Sequence, residues 1–324
     1  MTAPWITYRP ELKVLDCTIR DGGLINDHHF RDDFVRAAYQ TCVEAGVDYM
    51  ELGYKASKQV FQRDRFGAWK FCDEDDVRRV VGDNPTPLKL AAMIDAGKTE
   101  WRTDVLPKDR SVFDMMRVAF YVHQTVEACE MIKDAFDKGY EVSANLMAVS
   151  RATETEIAQS LELVAETPAH TVVVVDSFGS LYAEQIERLV KQYLSYVKER
   201  GKEVGIHAHN NQQLAFANTI EAIIHGANRV DATMGGLGRG AGNCPMELLL
   251  GFLRNPKFKL RPVYRFLQDH IEPLRNEVEW GPLVQYNITG QLNLHPRTAI
   301  QARANPETRL RYIEFYERIL NEEC

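Results

Sequence analysis

The chain has little that would tie it to an oxidising compartment, a membrane or a nucleic acid. Its 324 residues include six cysteines, at positions 17, 42, 72, 129, 244 and 324, with no C-x-x-C pair among them. A chain of this length can bury a full core without disulfide staples, so these cysteines read as reduced, mostly buried thiols. No apolar run approaches the roughly 18 residues that a membrane helix needs, and Met1–Lys13 lack the apolar stretch of a secretory signal. The expected location is therefore the cytoplasm. Positive charge is not in excess, since 39 Lys and Arg against 46 Asp and Glu leave a net −7, which argues against a nucleic-acid-binding surface. Internal repeats and low-complexity segments are missing as well.

What is present is a soluble globular composition, 45% hydrophobic and 26% charged, with a regular alternation of segment types. Eight short apolar runs bounded by turn residues read as buried parallel strands: 13–18, 49–53, 88–94, 116–120, 141–148, 171–176, 203–209 and 229–233. Amphipathic stretches at 33–45, 77–81, 125–138, 154–166, 182–200, 214–225 and 245–254 read as the helices between them. Eight strand–helix units favour a closed α/β architecture, the (β/α)8 TIM barrel, over an open doubly wound sheet. After Pro256 helix-like segments at 263–274 and 307–320 replace the alternation. The expected organisation is a catalytic barrel over residues 1–255 and a small helical region over 256–324. In such a barrel the loops after the strand carboxyl ends form the active site.

Three stretches there carry chemistry. His207-Ala208-His209 ends the seventh strand, and side chains two apart on a strand share a face, so both imidazoles can meet at one point. They suit two metal ligands, or else a hydrogen-bonded histidine pair. Thr18-Ile19-Arg20-Asp21-Gly22-Gly23 ends the first strand; strict alternation would part Arg20 from Asp21, so both serve one site only if the backbone leaves strand geometry, which the glycines permit. The bland alternative is an Arg–Asp surface pair. The third stretch, Met234–Pro245, is a glycine-rich turn into a helix whose amides, Gly236 and Gly238 included, can cradle an anion; it fits no nucleotide fingerprint, and a flexible loop is the alternative. Asp21, His207 and His209, with Asn243 as a further oxygen donor, make a mixed O/N set suited to Mn²⁺ or Mg²⁺, with Co²⁺ and Zn²⁺ also compatible. Such an ion can chelate a 2-oxo acid and stabilise its enolate, while Arg20 balances the charge.

Taken in order, DCTIRDGG (16–23), MELG (50–53), VDSFGS (175–180), GIHAHNN (205–211) and RVDATMGGLGRGAGNCPMELLL (229–250) resemble the DRE-TIM metallolyases, and most nearly their 4-hydroxy-2-oxovalerate aldolase branch. The resemblance spans Leu15 to Leu250. It implies Asp21, His207 and His209 as metal ligands, with Asn243 reaching the metal as in the HMG-CoA lyase branch. It also implies Arg20 as the enolate-stabilising arginine, Ser177 on the substrate carboxylate and Glu51 as a polar active-site residue. One position departs: the aldolase branch carries a catalytic histidine where this chain has Leu24. Replacements within reach are His28, His29, His295, Cys244 and Tyr286, the last favoured because the family's aldolases also bring a tyrosine from the C-terminal region.

The function implied is a metal-dependent carbon–carbon lyase, an aldolase joining a pyruvate-type 2-oxo acid to an aldehyde or reversing that step. Two alternatives stand: a Claisen-type acyl-CoA synthase or lyase, disfavoured because Gly23-Leu24-Ile25-Asn26 offers no glutamine, and a non-catalytic ligand-binding barrel. Partners expected are the small-molecule substrates, with no nucleic acid and no membrane; a homodimer and a docked aldehyde dehydrogenase are open. The loop after the second strand holds Lys55, Lys58, Arg63, Arg65 and Lys70, either as a solvated face or as a sign of an anionic substrate.

Overall fold

In the computed structural model, which describes residues 9–323, every barrel strand is short and nearly every one of its residues is buried. That is what strands covered on both faces require, and it is why their sequences read as continuous apolar runs rather than as alternations. The strands are β1 Lys13–Asp16, β2 Tyr49–Tyr54, β3 Lys89–Asp95, β4 Met115–Phe120, β5 Glu141–Leu146, β6 Thr171–Asp176, β7 Glu203–Ala208 and β8 Arg229–Ala232. All pair in parallel and in chain order, and β8 returns to β1 through Lys13–Arg229 to Asp16–Ala232, which closes the barrel. Residues such as Met50, Leu90, Val118, Val172 and Ile206 join the core shared with the surrounding helices. Their neighbours in sequence, including Glu51, Arg117, His207 and Asp231, point to the barrel interior and meet one another there.

The first strand is shorter than its apolar run. The Asp16 carboxylate accepts from the Thr18 amide (3.2 Å) and hydroxyl (2.5 Å), and the chain turns at once into a one-turn helix, Thr18–Gly22. Arg20 and Asp21 are therefore helical neighbours, not strand residues on opposite faces. Gly22 and Gly23 serve by their lack of bulk: a Cβ on Gly22 would fall 2.6 Å from Leu237 Cδ2, and one on Gly23 2.1 Å from His28 Nδ1. β5 also stops early, at Leu146, because Ala148 takes a left-handed conformation (φ 52°), and β7 stops before His209, whose backbone bridges to Asn243.

After residue 255 the chain is helical at Leu260–Phe266, Val284–Gln291, Arg297–Ala304 and Tyr312–Glu323. The stretch between the two expected helix-like segments thus holds two helices, Val284–Gln291 and Arg297–Ala304. Tyr286, Ala299, Ala302, Phe315 and Ile319 gather with Ala241 of the glycine-rich loop, so this region packs onto the mouth of the barrel. Among the described residues no helix is long and apolar enough to cross a membrane. Cys17, Cys42, Cys72 and Cys244 are buried free thiols and Cys129 is half-buried; Cys324 and residues 1–8 of the N-terminal segment lie outside the described residues.

Candidate active site

A cavity of about 360 Å³ opens at the carboxyl ends of the strands, bordered by Arg20, Asp21, Ser177, His207 and His209 together with Leu24, Tyr54, Lys70, Asn145, Arg239, His295 and Arg297. The alternation of β7 brings both imidazoles to one side, their ring centroids 4.9 Å apart. Strand register places their supports. β7 pairs Ile206 with Val230 of β8, so His207 and Asp231 follow side by side, and His207 Nδ1 meets Asp231 Oδ2 at 2.9 Å. His209 Nδ1 lies 2.9 Å from the Asp176 carbonyl. With Nδ1 donating in each ring, the two Nε2 atoms carry lone pairs toward the cavity, the arrangement that a metal-ligating histidine needs.

Those Nε2 atoms, Asp21 Oδ2 and Asn243 Oδ1 are all buried and all without a hydrogen-bond partner. Buried lone pairs of this kind call for a partner that the protein itself does not supply. Asp21 Oδ2 and His207 Nε2 stand 3.2 Å apart, outside hydrogen-bond geometry but close to the spacing of two donors each about 2.1 Å from one ion at a right angle. A carboxylate oxygen and imidazole nitrogens suit a divalent cation; Asp21, His207 and Cys17 form a group whose donor atoms lie within 4.8 Å of one another, His209 borders the same cavity, and Asn243 does not border it. Electrostatics agree for Asp21 and His209; at His207 burial would lower the imidazole, but the carboxylates of Asp21 and Asp231 outweigh it and raise it. Burial alone would raise the Asp21 carboxyl, but Arg20 and then His207 hold it well below the usual range. Burial, helped by His207, pushes His209 down to about 3, keeping the neutral imidazole that ligation needs.

Beneath the cavity runs a closed ring of buried side chains. Arg20 donates to Asp21 and, through Nε, to Glu51 Oε2 (2.7 Å). Arg117 donates to the same Glu51 oxygen (3.0 Å) and to Asp231, which accepts from His207, which faces Asp21 again. Burial would raise Asp231, but Arg117 and His207 outweigh it and hold it ionised. Removing one member would leave its partner charged and buried, so the ring is set as a unit.

Several expected residues fall elsewhere. Glu51 does not border the cavity; it lies beside Arg20 and accepts from its Nε at 2.7 Å. Gly236 and Gly238 do not border it either. The Gly236 amide already donates to Thr233, and Gly238 is pressed against Asn243, where a Cβ would come within 2.2 Å of Nδ2. Their smallness lets Asn243 bond the Leu237 carbonyl (3.1 Å) and leave Oδ1 unused, in place of an anion cradle. Tyr286 packs into the C-terminal apolar cluster, away from the cavity, whereas His295 borders it. His28 is buried beside Tyr54, His29 is exposed, and Cys244 is buried with its thiol pushed up to about 12. Of the five basic residues after β2, Lys55 bonds Cys72 O and Glu74, and Lys58 and Arg63 pair with Asp73; Lys70 alone borders the cavity. Asp231, Arg117 and Asp176 carried no assignment from sequence. The one signal for Asp231 is an acid between the apolar Val230 and Ala232 of a barrel strand.

Ser177 Oγ accepts from the Ala148 amide (2.8 Å), which leaves its own proton for the cavity. The left-handed turn at Ala148 is what aims that amide.

Comparison with known proteins agrees with this geometry. A model of the HMGL-like family matches residues 11–261. A 4-hydroxy-2-oxovalerate aldolase from Pelotomaculum thermopropionicum is 32% identical over 254 residues, covering 78% of this chain and 72% of that protein. An oxaloacetate decarboxylase from Mycobacterium tuberculosis is 31% identical over 246 residues, covering 74% and 69%. Among solved structures, the N-terminal domain of a candidate aldolase from Bacteroides vulgatus superposes with a TM-score of 0.75 at 26% identity, over 93% of this chain and 99% of that one.

Proposed function

The chain belongs to the HMGL-like family, and from that premise we propose that it is a divalent-metal-dependent aldolase, making or breaking the carbon–carbon bond next to a pyruvate-type 2-oxo acid. The observation that carries this reading is the convergence of unused lone pairs on Asp21, His207 and His209 at a cavity that Arg20 and Ser177 also border. Asp21, His207 and His209 would hold the ion, with Asn243 Oδ1 beside them. When bound, it supplies Lewis acidity toward the carboxylate and keto oxygens of the substrate, and the oxygen share of the donors favours Mn²⁺ or Mg²⁺ over Co²⁺ or Zn²⁺.

The protein's own groups do the rest. Arg20, held rigid by Glu51, offers its positive charge to the keto oxygen as negative charge grows there. Ser177 gives its hydroxyl proton to the substrate carboxylate. Leu24 has no proton to move, and His295 takes over that duty: it borders the cavity, and burial with Arg239 nearby lowers it to about 4, so it is a neutral base at pH 7. In the addition direction the pyruvate methyl loses a proton, its electron pair forms the bond to the aldehyde carbon, and the aldehyde oxygen takes up a proton. The cleavage of 4-hydroxy-2-oxovalerate and the decarboxylation of oxaloacetate, named for the two relatives, both break a bond beside a 2-oxo acid and release pyruvate.

The test is hydrogen–deuterium exchange at the pyruvate methyl group in D₂O, followed by NMR with Mn²⁺ or Mg²⁺ and again with chelator. Exchange that needs the ion is expected. Its absence while the ion is demonstrably bound would overturn the assignment.

A further inference from the structure

Beyond the donor cluster, the cavity wall carries positive charge that the protein leaves uncompensated. Arg20 is paired with Asp21 and Glu51, and Lys98 lies 3.5 Å from Asp95. Lys70 and Arg239 differ: among the described residues neither has a carboxylate within ion-pair distance. Lys70 is only 7% exposed, and its ammonium sits 4.3 Å above the Tyr54 ring and 4.2 Å above Phe61. Arg239 has its Nε buried with no hydrogen-bond partner. Arg239 as a residue is half-buried; holding the Lys70 ammonium and the Nε side of the Arg239 guanidinium from water without counter-ions is costly, and ring faces offset only part of that cost at Lys70.

The placement of Lys70 is built. It ends a short 3-10 turn, Ala68–Lys70, anchored by the fully buried Trp69, whose indole donates to Phe30 O (3.1 Å). The Lys70 carbonyl accepts from Ala56 (3.2 Å), and Gly53 passes so near that a Cβ there would lie 1.9 Å from Trp69 O. A solvated loop lysine needs none of this. The cavity also has room: at about 360 Å³ it falls within the roughly 300–1,000 Å³ range of small-molecule sites.

We propose that Lys70 and Arg239 form an anion subsite for the second substrate, so that the aldehyde joined to or released from the 2-oxo acid carries a phosphate or carboxylate group. This rests on the aldolase reading above. The anion supplies the missing counter-charge, and Arg239 binds its oxygens through a planar fork while Lys70 acts as a point charge.

The experiment uses the full chain with Mn²⁺, pyruvate and three aldehydes: propionaldehyde, glycolaldehyde phosphate and succinic semialdehyde. Pyruvate methyl exchange is recorded first, because its absence sinks the aldolase reading itself and this inference with it, whereas its presence isolates the subsite. With exchange present, kcat/KM for one anionic aldehyde should exceed that for propionaldehyde tenfold or more, and the preferred aldehyde tells phosphate from carboxylate. That ratio should fall at least tenfold in Lys70→Met and in Arg239→Met and be largely kept in Lys70→Arg. An exchanging wild-type enzyme that adds pyruvate to neither anionic aldehyde, or uses propionaldehyde as well, overturns the proposal even if a variant fails to fold. So does a preference that both Met variants retain.

Discussion

His207 meets Asp231 through Nδ1 at 2.9 Å, and that contact decides what the other ring nitrogen can do. With Nδ1–H directed at a carboxylate, Nε2 keeps its lone pair and faces Asp21 Oδ2 at 3.2 Å. Asp231→Asn breaks the charge that fixes this tautomer and also unpairs Arg117. Mn²⁺ affinity should fall about 10- to 100-fold, read by calorimetric titration; an unchanged Kd would show that His207 is oriented without Asp231.

Arg20 and Asp21 are adjacent in sequence and should fail differently. Arg20→Ala is expected to keep the ion but slow pyruvate exchange by about 10²- to 10³-fold. Asp21→Ala should lose the ion, and with it the stabilisation of about 2.7 kcal/mol that a ligand at 100 times its Kd gives the folded state. Thermal melts with and without Mn²⁺ on both variants, beside the exchange assay, separate the roles. Loss of the Mn²⁺ shift in Arg20→Ala would contradict them.

Two glycines predict opposite signs. At Gly53 a Cβ would lie 1.9 Å from the backbone oxygen of Trp69, so Gly53→Ala should cost about 1–3 kcal/mol and disturb the turn that holds Lys70. Gly251 lies in the helix Met246–Leu253 and would meet only Leu260 Cδ1 at 3.9 Å, an ordinary contact. There alanine should stabilise by about 0.5–1 kcal/mol. Urea midpoints of the two variants check the contrast.

Lys70 gives a signed pH dependence. Burial lowers its ammonium from 10.5 to about 8, with Lys98 adding to the shift and Asp95 and Asp27 opposing it. Between pH 8 and 10.5 the unfolded chain holds a proton that the folded chain has released, so this residue's contribution to stability rises with pH. Below pH 8 the charged form carries its full burial penalty. Lys70→Met should therefore exceed wild type in stability most clearly at pH 7, and the gap should narrow by pH 10. A gap that widens with pH would reverse the sign and refute the account.

The sequence by itself determined the barrel, because strands buried on both faces leave continuous apolar runs and the helices between them leave amphipathic ones. It also pointed to His207, His209 and Asp21, since two strand residues of equal parity and a polar pair at a strand end are local patterns. Tertiary structure alone decided the partners. Asp231 supports His207 only because β7 and β8 lie side by side, and Glu51 sits under Arg20 rather than at the cavity because β1 yields to a helical turn after Asp16. Tyr286 lies in the helix Val284–Gln291 and His295 in the loop that follows it, and the sequence pattern says nothing about which of them the packing turns toward the mouth. Five basic residues follow β2, and the anchoring of Trp69, a contact across 39 positions, picks Lys70 from among them. Local periodicity reports which face is buried; which side chains then meet depends on register and on long-range contacts, and these belong to the closed fold.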